Sequence, residues 1–185
     1  GEMGWLFRVV PHPVVMIGRT VAALDRRLNK PGRSETDRRL RGALLALGMA
    51  AMALAVGGGI AALARTLPHF WLVEVFIAAT LLAQRSLFEH VHDVAKALSD
   101  GGIEAGRYAV SRIVGRDPQS LDEHGVARAA IESLAENFAD GVVAPVFWYA
   151  VAGLPGLLLY KTVNTLDSMV GYRNDKYRAF GMASA

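Results

Sequence analysis

From Gly42 to Ala64 the chain reads GALLALGMAAMALAVGGGIAALA, 23 residues without a charge between Arg41 and Arg65. About 20 apolar residues cross the roughly 30 Å of hydrocarbon in a bilayer. A helix in a soluble core rarely runs this far without a polar face. The run therefore predicts a membrane-spanning helix. Its centre also matches a strand–GxGxxA–helix order from Gly57 to Ala62, a weak dinucleotide signature. No alternation of strands and helices surrounds it, and small residues let membrane helices approach closely, so it reads as helix.

A second apolar run fills 66–84, TLPHFWLVEVFIAATLLAQ. Pro68 suits a first helical position, and Phe70 and Trp71 suit the membrane interface. Glu74 stands about 9 Å along the axis from Pro68. An ionisable residue there either contacts a substrate or ion, or bonds to a neighbouring helix. The short link to the first run predicts a hairpin of 42–64 and 66–84. A third charge-free run, 141–160, contains Pro145, Gly153, Pro155 and Gly156. These breakers predict a broken or re-entrant membrane segment.

The remaining segments are amphipathic. In 12–30, Val14, Ile17, Val21, Leu24 and Leu28 recur at helical spacing behind Pro13. This helix either lies on the membrane surface or carries His12 and Arg19 to an anionic substrate. In 86–98, Leu87, His90, Val91, Val94 and Leu98 form one face. His90 and His92 point apart on a helix, which is poor geometry for a shared metal. His90 alone suits an acid–base or phosphate-contacting role. In 122–141, Val126, Ala130, Ile131, Leu134 and Phe138 form an apolar stripe, and Glu132, Glu136 and Asp140 stack at i, i+4 and i+8 beside Asn137. Like charges at that spacing repel. The column is either a solvated helix end or faces a cation: Mg²⁺, a substrate ammonium or an arginine. In 160–172, Val163, Leu166, Met169 and Val170 are apolar, with Lys161, Asn164, Thr165 and Ser168 opposite and Asp167 adjoining. That polar face suits phosphate and Mg²⁺.

Composition agrees with the membrane reading. The 185 residues are 52% hydrophobic and 20% charged, with no cysteine. Mean hydropathy is +0.28. Disorder, a disulfide scaffold and a thiolate metal site are excluded. The net charge is only +3, but Arg26, Arg27, Lys30, Arg33, Arg38, Arg39 and Arg41 precede the first run. No aromatic residue is interleaved in this block, so no nucleic-acid partner is expected. The positive-inside rule puts the block, and with it helices 85–140, in the cytoplasm. P-loop, cysteine-nucleophile and G-x-S-x-G motifs are absent. The start lacks Met and signal-peptide features, and the chain reads as part of a longer protein. The expected fold is all-α: a polytopic helical membrane protein with amphipathic cytoplasmic helices.

Four ordered motifs, HPVVMIGR (12–19), SRIVGRD (111–117), ARAAIESLAENFADGVVAPVFW (127–148) and YKTVNTLDSMVGY (160–172), are followed by Phe180-Gly181. Together they resemble the CobD/CbiB family, adenosylcobinamide-phosphate synthases of cobalamin biosynthesis, over nearly the whole chain. It departs at Met16, where an aromatic is expected, and at Pro118, where threonine is common. The resemblance implies one CobD/CbiB-like domain in the bacterial inner membrane, multi-pass, with 161–185 as a polar motif helix and tail and the polar motifs facing the cytoplasm. It implies an ATP- and Mg²⁺-dependent ligase. The bond formed is an amide between adenosylcobyric acid and aminopropanol or its phosphate. On that basis Glu132, Glu136, Asp140 and His90 are the expected catalytic residues. Glu136, Asp140 and Asp167 are the expected metal ligands. His12, Arg19, Arg116, Asn137, Lys161, Asn164 and Asp167 are the expected substrate or phosphate contacts. The expected partners are the corrinoid, the amine, the bilayer and other cobalamin-pathway membrane enzymes. A non-catalytic corrinoid-binding or transport component, or a membrane sensor on the same scaffold, is the alternative.

Overall fold

His12 caps the first helix, α1 (Pro13–Leu28), by accepting the Val14 N–H on its ring. Proline at the first position suits a helix start, because its missing N–H would have no partner there. The computed structural model describes residues 12–82, 84–115 and 117–185, with 84–86 by backbone alone. All regular structure among them is helical. After α1 come α2 (Glu35–Thr66), α3 (Trp71–Leu81), α4 (Gln84–Ser111), α5 (Glu123–Phe138), a π-helical segment (Ala139–Val143), α6 (Ala144–Val170) and a 3₁₀ turn (Phe180–Ala183). Residues 12–81 and 145–185 form one compact unit, and 82–144 form a second.

In the first unit α2 runs unbroken through Gly57–Gly59, which removes the dinucleotide-binding reading. Its buried positions are Gly42, Leu45, Met49, Ala53 and Gly57, a narrow stripe at 3–4-residue spacing. Leu40, Leu44, Leu47, Leu54 and Val56 on its other sides are exposed. A helix apolar all round but covered on one stripe suits lipid contact. Two stretches, one in α2 and one in Glu123–Val170, are long and apolar enough to cross a membrane. One core cluster joins Val21 of α1, Leu45 and Met49 of α2, Leu166 and Val170 of α6, and Phe180. A second joins Ala53, Leu81, Leu154, Leu157 and Leu158. The stripe of α1 thus packs into protein.

The second apolar run is shorter as a helix than its sequence suggests. Pro68 lies in the turn before α3, and His69 has φ +65°. Leu67 is extended, as the residue before a proline prefers. The helix therefore starts at Trp71 and runs 11 residues, about 16 Å. α6 is interrupted at Gly153, where φ is +63° and ψ −155°, followed by Pro155. Glycine reaches this region without steric cost.

The second unit pairs α4 with α5. Asp122 caps α5 by accepting the Gly125 N–H at 2.7 Å. Val94 and Val110 pack on Val126, Ala129 and Ala130. α4 turns at Gly102, φ +69°.

Candidate functional site

α4, the residues after it and α5 border an open cavity of about 350 Å³ in the second unit, lined by Leu87, His90, Val91, Arg112, Ile113, Ser133, Leu134 and Asn137. α4 brings His90, one turn from Leu87. Arg112 sits just past the last helical residue. α5 brings Ser133 and Asn137, one turn apart. Their polar atoms are fixed locally. The Ser133 hydroxyl donates to the Ile113 carbonyl at 2.8 Å, and the Asn137 amide donates to the Ser133 carbonyl at 2.7 Å. With its N–H engaged, Asn137 retains a carbonyl oxygen as an acceptor. An apolar groove adjoins, sharing Leu87, Val91 and Leu134 and adding Phe88, Ile131 and Phe138. Phe88 stacks on His92 with ring centroids 5.8 Å apart.

This corrects the sequence reading of α5. Its buried residues are Val126, Ala129, Ala130 and Ser133, whereas Ile131 and Phe138 are exposed. The buried side is narrow because α4 approaches over small residues. Glu132 and Glu136 lie on the exposed side of α5, and Asp140 follows on the π-helical segment. π-turns inside helices are rare and frequent at functional sites.

The first unit holds the second polar set. Lys161 is 8% exposed and Thr162 2%, whereas Val163 is 46% exposed. The expected division of this helix is thus turned: Lys161 lies at i+3 from Leu158, within the buried stripe. Its four-methylene stem fits an apolar surface. The Thr165 hydroxyl donates to the Lys161 carbonyl at 2.6 Å and the Ser168 hydroxyl to the Asn164 carbonyl at 2.8 Å. Both hydroxyl protons are spent on backbone. Asp167 is exposed, and its carbonyl accepts the Gly171 N–H. His12 is engaged through both ring nitrogens. Nδ1 accepts from Val14, so Nε2 carries the proton and donates to the Thr80 carbonyl at 2.8 Å. Arg19 is exposed on α1. Glu74 bonds to a neighbouring helix, accepting from the Tyr149 hydroxyl at 3.4 Å.

Arg116 lies outside the described residues. Glu136 and Asp140 belong to the second unit and Asp167 to the first. Among the described residues no three His, Asp or Glu side chains gather closely enough to hold a metal ion. The second unit brings His90 and Asn137 together. The sequence reading missed Arg112 and Ser133 as their neighbours. Arg112 stood inside the SRIVGRD motif, which was a signal, but no spacing rule links it to a helix 20 residues on.

A helical chain with long apolar helices and a cavity of mixed polar and apolar lining between amphipathic ones defines a membrane-type α-helical protein with a candidate binding site. The family model for the CobD/Cbib protein matches residues 1–185, and the chain belongs to the CobD/CbiB family. It is 52% identical over its full length to a cobalamin biosynthesis protein CobD of Sinorhizobium sp, of which it covers 58%. It is 49% identical to the protein of that name from Brucella suis, covering 57%. For the one from Rhodobacter capsulatus, 99% of the chain aligns at 48% identity, again covering 58%. The chain thus spans somewhat over half the length of these curated relatives. No solved structure matches it.

Proposed function

We propose that the chain is part of a cobalamin-pathway membrane enzyme that joins aminopropanol, or its phosphate, to a propionate side chain of adenosylcobyric acid. Family membership and the relatives' names support the role in cobalamin biosynthesis. The cavity of the second unit carries the ligase reading: a guanidinium, an imidazole, a hydroxyl and an amide face one space.

Amide formation from a carboxylate requires a leaving group. In the proposed sequence a carboxylate oxygen attacks the terminal phosphorus of ATP and ADP departs. The amine nitrogen then attacks the acyl carbon, and inorganic phosphate departs as the amide forms. Arg112 would hold the phosphoryl oxygens, because a planar guanidinium binds such groups through two parallel hydrogen bonds. His90 would take the proton that the attacking ammonium must lose. Glu132 would hold that ammonium, and the Asn137 carbonyl would orient it. Lys161, Asn164 and Asp167 are assigned to nucleotide phosphates, and His12, Arg19 and Arg116 to anionic groups of the corrinoid.

Mg²⁺ keeps several waters and takes one or two carboxylates besides phosphate oxygens. Glu136 and Asp140, four residues apart on the exposed side, fit that demand, and Asp167 of the first unit is assigned separately as a metal ligand. When bound, the ion would neutralise charge on the transferred phosphoryl group.

The enzyme is proposed to be multi-pass in the inner membrane with these groups toward the cytoplasm, in contact with other enzymes of the pathway. Full-length protein should form the amide only with ATP present. Glu136→Gln and Asp167→Asn should each abolish turnover while leaving the protein folded. Near-normal rates in both would overturn the site assignment. Corrinoid binding without turnover in the unaltered protein would make the chain part of a carrier.

A further inference from the structure

Two segments far apart in sequence build one basic surface on the first unit. Arg26, Arg27 and Lys30 come from the end of α1 and the residue pair after it. Arg33, Arg38, Arg39 and Arg41 come from the turn and the start of α2. Arg173, Lys176 and Arg178 come from the loop 171–179. Over 25–41 and 171–179 there are ten basic residues against four acidic ones, whereas the whole chain has a net charge of only +3.

A loop this basic would be repelled by the block it joins, so specific contacts must hold it. Asn29 supplies one, donating to the Lys176 carbonyl at 3.1 Å, and its amide is anchored on α1 by a bond to Asp25 Oδ1, also at 3.1 Å. Arg38 donates to Asn29 Oδ1 at 3.0 Å and also reaches the Lys176 carbonyl. Tyr177 donates to Asp25 Oδ2 at 3.1 Å, and Lys176 pairs with the same oxygen at 3.2 Å. The acidic residues are largely consumed within the surface. Asp37 pairs with Arg33 and Arg41, and Glu35 with Arg39 and Arg178. Among the described residues Arg26, Arg27, Lys30 and Arg173 form no ion pair, and all four are exposed. The surface keeps an outward positive excess.

Its position sets the partner. The charge-free run of α2 begins at Gly42, and Arg38 is about 6 Å from that point along the axis. That is within the Debye length of about 8 Å at physiological salt. Leu40 and Leu44 at the same end of α2 are 60% and 59% exposed, and Tyr172 of the loop is 56% exposed. Apolar and aromatic side chains beside arginines, next to an apolar helix, suit a headgroup region better than a nucleic acid.

We propose that this two-segment surface binds the phosphates of anionic phospholipid headgroups in the bilayer that α2 spans. The proposal rests on the spanning reading of α2 and is independent of the ligase chemistry. The test uses full-length protein in bilayer discs of mixed phosphatidylglycerol and phosphatidylcholine. The readout is enrichment of phosphatidylglycerol in the lipid that co-purifies with the protein. Arg173→Gln should lower the enrichment by about fivefold, and Arg26→Gln with Arg27→Gln by more, with smaller losses at high salt. Stability in pure phosphatidylcholine should be unchanged, because these side chains hold no part of the fold. Unchanged enrichment in both variants overturns the proposal. So does full displacement by inorganic phosphate, or selective loss of affinity for a single-stranded oligonucleotide. Resistance to alkaline extraction is measured alongside. A protein that is extracted fails the spanning reading, whereas a resistant one without enrichment fails only the lipid-binding proposal.

Discussion

Gly42 of α2 meets Phe180 backbone to backbone: a β-carbon at position 42 would lie 1.7 Å from the Phe180 carbonyl oxygen. Phe180 is fully buried, and Gly181 is packed as tightly on the Val170 carbonyl. The Phe-Gly pair that helped mark the family is thus a packing element. It seats the end of the chain on α2 and α6.

Gly42→Ala should therefore destabilise the protein, by about 1–3 kcal/mol or more, because backbone must shift to admit the methyl group. Gly48 also lies in α2, with nothing within 4 Å of its would-be β-carbon. Gly48→Ala should be neutral or stabilising by about 0.5–1 kcal/mol. Thermal unfolding in detergent compares the two.

Arg112 and Ser133 line one cavity, but they should answer differently to substitution. Arg112 is exposed, so Arg112→Gln should leave stability intact and, in full-length protein, lower kcat/KM for the proposed amide formation by about 10–100-fold, the worth of a charged hydrogen bond. Ser133 is buried and bonds to Ile113. Ser133→Ala should cost about 1 kcal/mol of stability. Steady-state kinetics and unfolding of both variants check this division.

The hydroxyl of Tyr149 serves Glu74 from a neighbouring helix. Tyr149→Phe should cost about 1–3 kcal/mol, because it leaves a carboxyl group among apolar neighbours without that donor. Adding Glu74→Leu should recover most of the loss. A double-mutant cycle measures the coupling, and additivity would argue against the pair.

The hydrogen bond to Tyr177 holds the Lys176 ammonium above the usual lysine range, with burial opposing and Asp25 adding to the rise. A raised lysine pKa stabilises the fold fully below the unfolded value of about 10.4, and the contribution fades as pH climbs through the folded value. Lys176 is largely exposed, so the effect should stay below about 1 kcal/mol and shrink with salt. The stability gap between the protein and its Lys176→Gln variant should be constant from neutral to weakly alkaline pH and close in strong alkali.

Much of the helical fold was legible because single residues announced it. Pro13 opens α1, and the charge-free run after Arg41 extends α2 through its glycines. Pro68 misled because a proline starts a helix only if the next residues follow in helical conformation, and His69 takes a positive φ instead. Lys161 misled because polarity alone assigned it to the outer face, although its hydrocarbon stem lets it occupy a stripe position. The candidate site was half legible. His90 and Asn137 stood out by type, but their meeting with Arg112 and Ser133 depends on how α4 and α5 pack. That packing is set by small residues such as Ala129 and Ala130, whose pattern carries little signal.

The Glu74–Tyr149 bond also constrains how the protein is made. An 11-residue helix containing a glutamate is a weak signal for entering a bilayer by itself. α2 emerges from the ribosome before α3 and by length and composition is able to cross a bilayer. The carboxyl group must wait for Tyr149, 75 residues later. Until those residues are made, the carboxyl group has no access to that donor.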